Sequence, residues 1–280
     1  MATREVTVPT VPLNSDVAMP ALGLGTWTMT DAEAARTIPV AARLGYRMID
    51  TATYYRNERG VGEGIRRSHV PRAEFFIVTK LTGRDHGYDR AMRGFEESLA
   101  RLGVDYLDLY MIHWPLPMRD RYVDTWRALV QLRADGRVRA IGVSNFTPEH
   151  VDRIVAETDV VPAVNQIQLN PRVTQPASRA HAARRGIVVQ AWQPLCLGGS
   201  LLTEPVIRII ARCHGRTPAQ VVLRWHIEHG LVPIPKSAHE ERLASNIDVF
   251  DLRLTPEDHT LISELDGTEI AVDPTTTEVD

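Results

Sequence analysis

The chain has 280 residues, of which 44% are hydrophobic and 24% charged, and its formal net charge is −3. A near-neutral chain with both signs interspersed excludes the basic footprint of a nucleic-acid binder and a polybasic membrane surface. The length allows one large core, and it suits a (β/α)₈ barrel, which takes about 250 residues.

In chain order, residues 1–8 carry Arg4 and Glu5 and lack the apolar stretch of a signal peptide, which points to a cytoplasmic protein. Segments 5–8 and 11–20 are expected to form a hairpin that caps the bottom of a barrel. Short β-rich apolar runs then alternate with longer segments of helical period. Strands are predicted at 21–24, 46–50, 75–79, 106–111, 138–143, 163–168, 187–191 and 231–234. Helices are predicted at 31–44, 58–68, 89–102, 121–135, 148–157, 176–185 and 217–229, with another at 239–246 after the eighth strand. Two extra helices are expected, at 203–214 between the seventh and eighth strands and at 256–264 near the C-terminus.

Helix starts are marked by Thr30-Asp31, Thr147-Pro148 and Thr217-Pro218, and helix ends by Gly45, Gly103, Gly136, Gly186 and Gly230. Pro39 falls inside the first helix, where a kink or a late start is predicted. Cys196 and Cys213 are too few for a disulfide framework and are expected to be reduced. No apolar run reaches the roughly 18 residues of a membrane span. The polar tail, 273–280, is expected to be mobile or to lean over the active site. Strands alternating with helices imply a parallel sheet with right-handed crossovers, and eight such units favour closure into a barrel. The whole chain, 1–280, is read as one domain and a monomer.

In such a barrel the site lies at the C-terminal ends of the strands. Asp50 ends the second predicted strand, Lys80 follows the third and His113 the fourth. Ser144 and Asn145 follow the fifth, Gln166 lies near the end of the sixth, Trp192 follows the seventh and Lys236 the eighth. Each alone has an ordinary structural explanation, but on one rim they converge. A buried Asp and a buried Lys should pair, because either alone is costly.

Asp, Lys, Tyr and His together suit proton donation to a carbonyl that receives a hydride. A phenol has an ordinary pKa near 10, and a neighbouring ammonium favours the phenolate, which is expected to make the phenol a better acid. The hydride must come from a cofactor, because no side chain supplies one. Other chemistries fit less well. The glycines at 23 and 25, and at 60, 62 and 64, miss the dinucleotide fingerprint, no P-loop is present, and His239-Glu240-Glu241-Arg242 is not a zincin motif. No spacing of His and Cys suggests a metal.

These residues carry a family resemblance. Asp50-Thr51-Ala52-Thr53-Tyr54-Tyr55-Arg56-Asn57-Glu58 resembles the D-T-A-x-x-Y-x-N-E signature of the aldo-keto reductases. Residues 107–115, L-D-L-Y-M-I-H-W-P, residues 142–146, G-V-S-N-F, and residues 234–237, I-P-K-S, are similar to further motifs of that family. The match runs from about residue 22 to residue 266 and looks most like the bacterial 2,5-diketo-D-gluconate reductases.

The resemblance implies an NADPH-dependent enzyme that reduces an aldehyde or ketone, such as a diketo sugar acid or a small dicarbonyl. It implies a catalytic tetrad of Asp50, Tyr55, Lys80 and His113, with Tyr55 rather than Tyr54 as proton donor. It implies that Thr26, Trp27, Ser144, Asn145, Gln166, Trp192, Leu195 and Gly198 hold the nicotinamide and pyrophosphate end of the cofactor. Lys236, Ser237 and Arg242 would take the 2′-phosphate and Asn246 the adenine. Trp27, Tyr55, His113 and Trp114 would line the substrate pocket. Ser245 stands where many relatives have Glu, and Gln193 to Cys196 depart from the usual loop. A protein that binds the cofactor without turnover, or an unrelated barrel, are the competing readings.

Overall fold

A computed structural model describes residues 6–277. Eight parallel strands run in order around one sheet: β3 (Leu24–Gly25), β4 (Met48–Asp50), β5 (Phe76–Leu81), β6 (Leu107–Ile112), β7 (Val138–Ser144), β8 (Val164–Gln168), β9 (Val188–Trp192) and β10 (Val232–Pro233). The sheet closes on itself. Gly23 N donates to Pro233 O at 3.2 Å, Gly25 N donates to Pro235 O at 3.0 Å, and Gly25 bridges Lys236. A Cβ on Gly23 would stand 2.8 Å from Met48 Cε, and one on Gly25 would stand 3.1 Å from Ile234 O. These two glycines therefore serve the seam of the barrel, where bare backbone is needed for close approach.

Ten α-helices are described. Eight follow the strands: α1 (Asp31–Leu44), α2 (Glu58–Arg67), α3 (Tyr88–Leu102), α4 (Tyr122–Ala134), α5 (Pro148–Thr158), α6 (Pro176–Arg184), α8 (Pro218–Glu228) and α9 (Glu240–Ile247). The extra helices are α7 (Pro205–Cys213), between β9 and β10, and α10 (Pro256–Ser263). Thr30 caps α1 through a reciprocal box with Glu33, and Thr147 and Thr217 do the same for α5 and α8. Gly45 ends α1 with φ 108°, a backbone position that only glycine takes without strain. Helix α1 begins at Asp31 and runs through Pro39, so the late start expected there does not occur.

Two other expectations are corrected. The hairpin pairs β1 (Thr10–Pro12) with β2 (Ala18–Pro20), so it is formed by the expected second segment and Thr10 just before it. Residues 6–8 form no strand, Val6 N donates instead to Leu44 O, and Glu5 lies outside the described residues. The first barrel strand is Leu24–Gly25 and not residues 21–24, because its pairing with β4 starts at Leu24, opposite Ile49. A 3-10 helix at Leu197–Thr203, absent from the sequence reading, precedes α7. The tail has no helix or strand up to residue 277, and residues 278–280 lie outside the described part.

The core has two layers. Inside the barrel, Met48, Phe76, Leu109 and Met111 pack against Leu13, Val17 and Met19 of the hairpin, which plugs the bottom. Outside, the strands' other faces pack on the helices, so that β4, β5 and β6 are buried on both sides. The closed bottom leaves the strands' C-terminal ends as the open rim.

Candidate active site

The rim carries a cleft of about 630 Å³ lined by Asp50, Tyr55, His113, Ser144, Asn145, Gln166, Trp192 and Lys236, together with Trp27 and Trp114. A second cavity, of about 690 Å³, lies at the other end of the barrel and contains none of these residues.

Asp50, the last residue of β4, is buried, and its Oδ1 accepts from Lys80 Nζ at 2.6 Å. Lys80 sits in β5, fully buried, and also donates to Thr51 O at 3.0 Å. The two charges expected to pair therefore meet. Tyr55 ends the short 3-10 helix Thr53–Tyr55 that follows β4, and the Lys80 ammonium is 5.2 Å from its ring centroid. His113, just past β6, packs edge-on to Tyr55 with centroids 5.7 Å apart. Tyr54 also touches His113 edge-on, at 6.2 Å, but it is exposed and has no ammonium contact among the described residues.

The electrostatics differ from the sequence expectation in one respect. Burial pushes the Tyr55 phenol up, Lys80 pulls it down and Asp50 pushes it up, and the net direction is upward from 10.0. Desolvation of the phenolate outweighs the ammonium. Burial alone would push Lys80 down, but Asp50 and Tyr55 outweigh it and hold the ammonium above its usual range. His113 is pushed well below 6.5 by burial and then by the Lys80 charge, so the ring is neutral at neutral pH. The site thus offers a protonated phenol and a neutral imidazole side by side.

The next strands bring the amides together. Ser144, the last residue of β7, donates through Oγ to Gln166 O at 2.8 Å. Asn145 has φ 61° and donates to His113 O and Ser144 Oγ, both at 3.0 Å. Trp192 Nε1 donates to Asn145 Oδ1 at 2.8 Å. Gln166 Nε2 donates to Asp50 Oδ2 and to Gln190 Oε1, both at 2.9 Å. Thr26 is buried with its hydroxyl committed to Asp50 O, so the structure places its side chain in the wall and not on the cleft. Leu195 lines the cleft, and Gly198 lies in the 3-10 helix beyond it.

Lys236 is exposed at the end of the cleft, and Arg242 is exposed on α9, neither with an ion pair among the described residues. Ser237 Oγ is tied to the His239 backbone, donating to O at 3.3 Å and accepting from N at 3.1 Å. Asn246 is buried on α9, and its side chain has no hydrogen bond among the described residues. Two cations without an ion pair and an amide without a hydrogen-bond partner, Lys236, Arg242 and Asn246, fit a phosphorylated nucleotide.

Sequence reasoning missed Gln190, fully buried in β9 beneath Gln166. A single amide in the apolar run 188–192, two residues before Trp192, was the available signal.

A closed parallel barrel with Asp, Lys, Tyr and His on its C-terminal rim defines a barrel oxidoreductase site. The profile of the aldo/keto reductase family matches residues 21–267, and the chain belongs to that family. It is similar to an aldo-keto reductase of Mycolicibacterium smegmatis, with 50% identity over 96% of this chain and 98% of the relative. It is 48% identical to the morphine 6-dehydrogenase of Pseudomonas putida, over 95% and 94% of the two chains. Its fold matches the crystal structure of a Bombyx mori aldo-keto reductase in complex with NADP, with TM-score 0.88, 34% identity and 95% of each chain covered.

Proposed function

We propose that the protein reduces an aldehyde or ketone to an alcohol with NADPH, using Tyr55 as the proton donor. The observation that carries this reading is the buried Asp50–Lys80 pair set against the Tyr55 phenol at the cleft. Bound NADPH supplies the hydride. Tyr55 gives its hydroxyl proton to the carbonyl oxygen, and Lys80 stabilises the phenolate left behind. Neutral His113 donates a hydrogen bond to the same oxygen and fixes its direction. General acid catalysis of this type contributes about 10²–10⁴-fold. Ser144, Asn145 and Gln166 would hold the carboxamide, Trp192 the ring face, and Lys236, Ser237 and Arg242 the 2′-phosphate, with Asn246 on the adenine.

The aromatic walls of the cleft are Trp27, Tyr54 and Trp114, the last two against His113, and the cation lining it, Lys236, is assigned here to the phosphate end. That supports an uncharged carbonyl, such as a small dicarbonyl or an aromatic aldehyde, over a diketo sugar acid. Among the described residues no helix is long and apolar enough to cross a membrane.

The test is loss of NADPH absorbance with methylglyoxal, an aromatic aldehyde and a diketo sugar acid. Turnover is expected with the first two. NADPH binding without turnover on any carbonyl would instead favour a cofactor-binding protein that does not catalyse.

A further inference from the structure

Gln190 sits inside the barrel with no exposure, on the same face of β9 as Trp192. Its Oε1 accepts from Gln166, and its Nε2 rests on the sulfurs of Met19 at 3.1 Å and Met48 at 3.5 Å, both weak acceptors. A primary amide has two N–H donors and one carbonyl acceptor. Gln166 commits both donors below the rim, one to Asp50 Oδ2 and one to Gln190 Oε1. Its Oε1 accepts no hydrogen bond among the described residues, and Gln166 lines the cleft.

Charge dictates this orientation. The Asp50 carboxylate, held by Lys80 through Oδ1, can only accept, so Gln166 must turn its NH₂ toward it. The second N–H then needs an acceptor, and Gln190 provides one. With Gln166 turned the other way, its carbonyl would face a carboxylate and a second carbonyl. With Gln190 turned, two NH₂ groups would meet.

We infer that Gln190 is a positioning residue for the nicotinamide carboxamide, acting through Gln166 so that the Gln166 carbonyl oxygen is the group offered to the cofactor. This rests on the proposed role of Gln166 and adds the residue that sets its polarity. Gln190 itself touches neither substrate nor cofactor. Because Met19 belongs to the hairpin, the plug at the barrel's bottom supports the same chain of contacts.

The test compares two ligands by titration calorimetry: NADPH, and 2′-phospho-ADP-ribose, which lacks the nicotinamide. Gln190→Leu removes the acceptor and leaves an apolar side chain beside two methionines. It is expected to weaken NADPH about tenfold, the loss of roughly one hydrogen bond's worth of binding, while 2′-phospho-ADP-ribose changes by less than about twofold. Gln190→Glu keeps an acceptor oxygen in either protonation state and is expected to restore NADPH to within about threefold. Equal weakening of both ligands, no weakening of either, or a Gln190→Glu protein as weak as Gln190→Leu would overturn the inference. A lower urea midpoint with an unchanged ligand ratio would also overturn it, since that is what a merely structural role gives. Gln166→Leu separates the two levels. If it lowers the ratio and Gln190→Leu does not, the Gln190 inference alone fails. If it leaves the ratio unchanged, the carboxamide role of Gln166 fails with it.

Discussion

The Asp50 carboxylate is buried with both oxygens in use, one on Lys80 and one on Gln166. Removing the cation strands a buried anion, so Lys80→Met is expected to lower unfolding stability by about 3–5 kcal/mol, read by urea titration, and to abolish turnover. Tyr55→Phe deletes one hydroxyl and leaves the ion pair intact. It is expected to abolish reduction while leaving NADPH affinity within a few-fold and the urea midpoint near that of the parent. A Tyr55→Phe protein with near-normal kcat would refute the proton-donor role. Burial decides the acid here as well. The phenol is held above 10.0, so in the enzyme without cofactor it should stay protonated across neutral pH, checked by spectrophotometric titration of tyrosinate against Tyr55→Phe.

At the scale of elements, the turn from β4 into α2 shows why the signature has its shape. Asn57 Nδ2 donates to Thr26 O at 2.8 Å and Met29 O at 3.0 Å, and its Oδ1 accepts from Thr51 Oγ1 at 2.7 Å. Glu58 accepts from Thr79 Oγ1 at 2.7 Å and Arg101 Nε at 2.6 Å. These two residues brace the 3-10 helix that presents Tyr55, and neither is among the residues lining the cleft. Asn57→Ala would take the partner from Met29 O and Thr51 Oγ1 and leave Thr26 O with Met29 N alone, and is expected to cost about 2–3 kcal/mol, read by urea titration. The loop and helix after β10 have a different task. Arg242→Ala on α9 is expected to weaken NADPH far more than NADH in binding titrations. Equal losses would remove the 2′-phosphate role, because only NADPH carries that group.

For the whole molecule, the plugged bottom and the acid sensitivity matter most. Met19 is fully buried between the hairpin and the barrel interior, so Met19→Ala is expected to cost about 2–5 kcal/mol by denaturant titration. His226 is also fully buried, its ring nitrogens facing Val222 O and Leu169 O, and burial pushes it down from 6.5 to about 4. Its folded-state pKa is below the unfolded one, so acid protonates the unfolded chain first. Its contribution to stability is complete above about pH 6.5 and is lost as pH falls toward about 4, roughly 3 kcal/mol in all. His113 adds a loss of the same sign below its ordinary range. Unfolding midpoints measured from pH 7 to pH 4 should fall less steeply in His226→Gln than in the parent protein.

Sequence alone settled the alternation of elements, because periods of two and of 3.6 are local and burial on both faces makes each barrel strand an apolar run. It also placed Asp50, Lys80, His113 and Asn145 at or just past strand ends and Gln166 near one, since each breaks such a run, although Lys80 and Gln166 prove to lie within their strands. Only the tertiary structure decided the seam at Gly23 and Gly25, the strand pairing of the hairpin and the passage of α1 through Pro39. It alone revealed Gln190 beneath Gln166 and the upward direction of the Tyr55 phenol. Each of these depends on atoms far apart in the chain, and on how much water their packing removes, which no local pattern encodes.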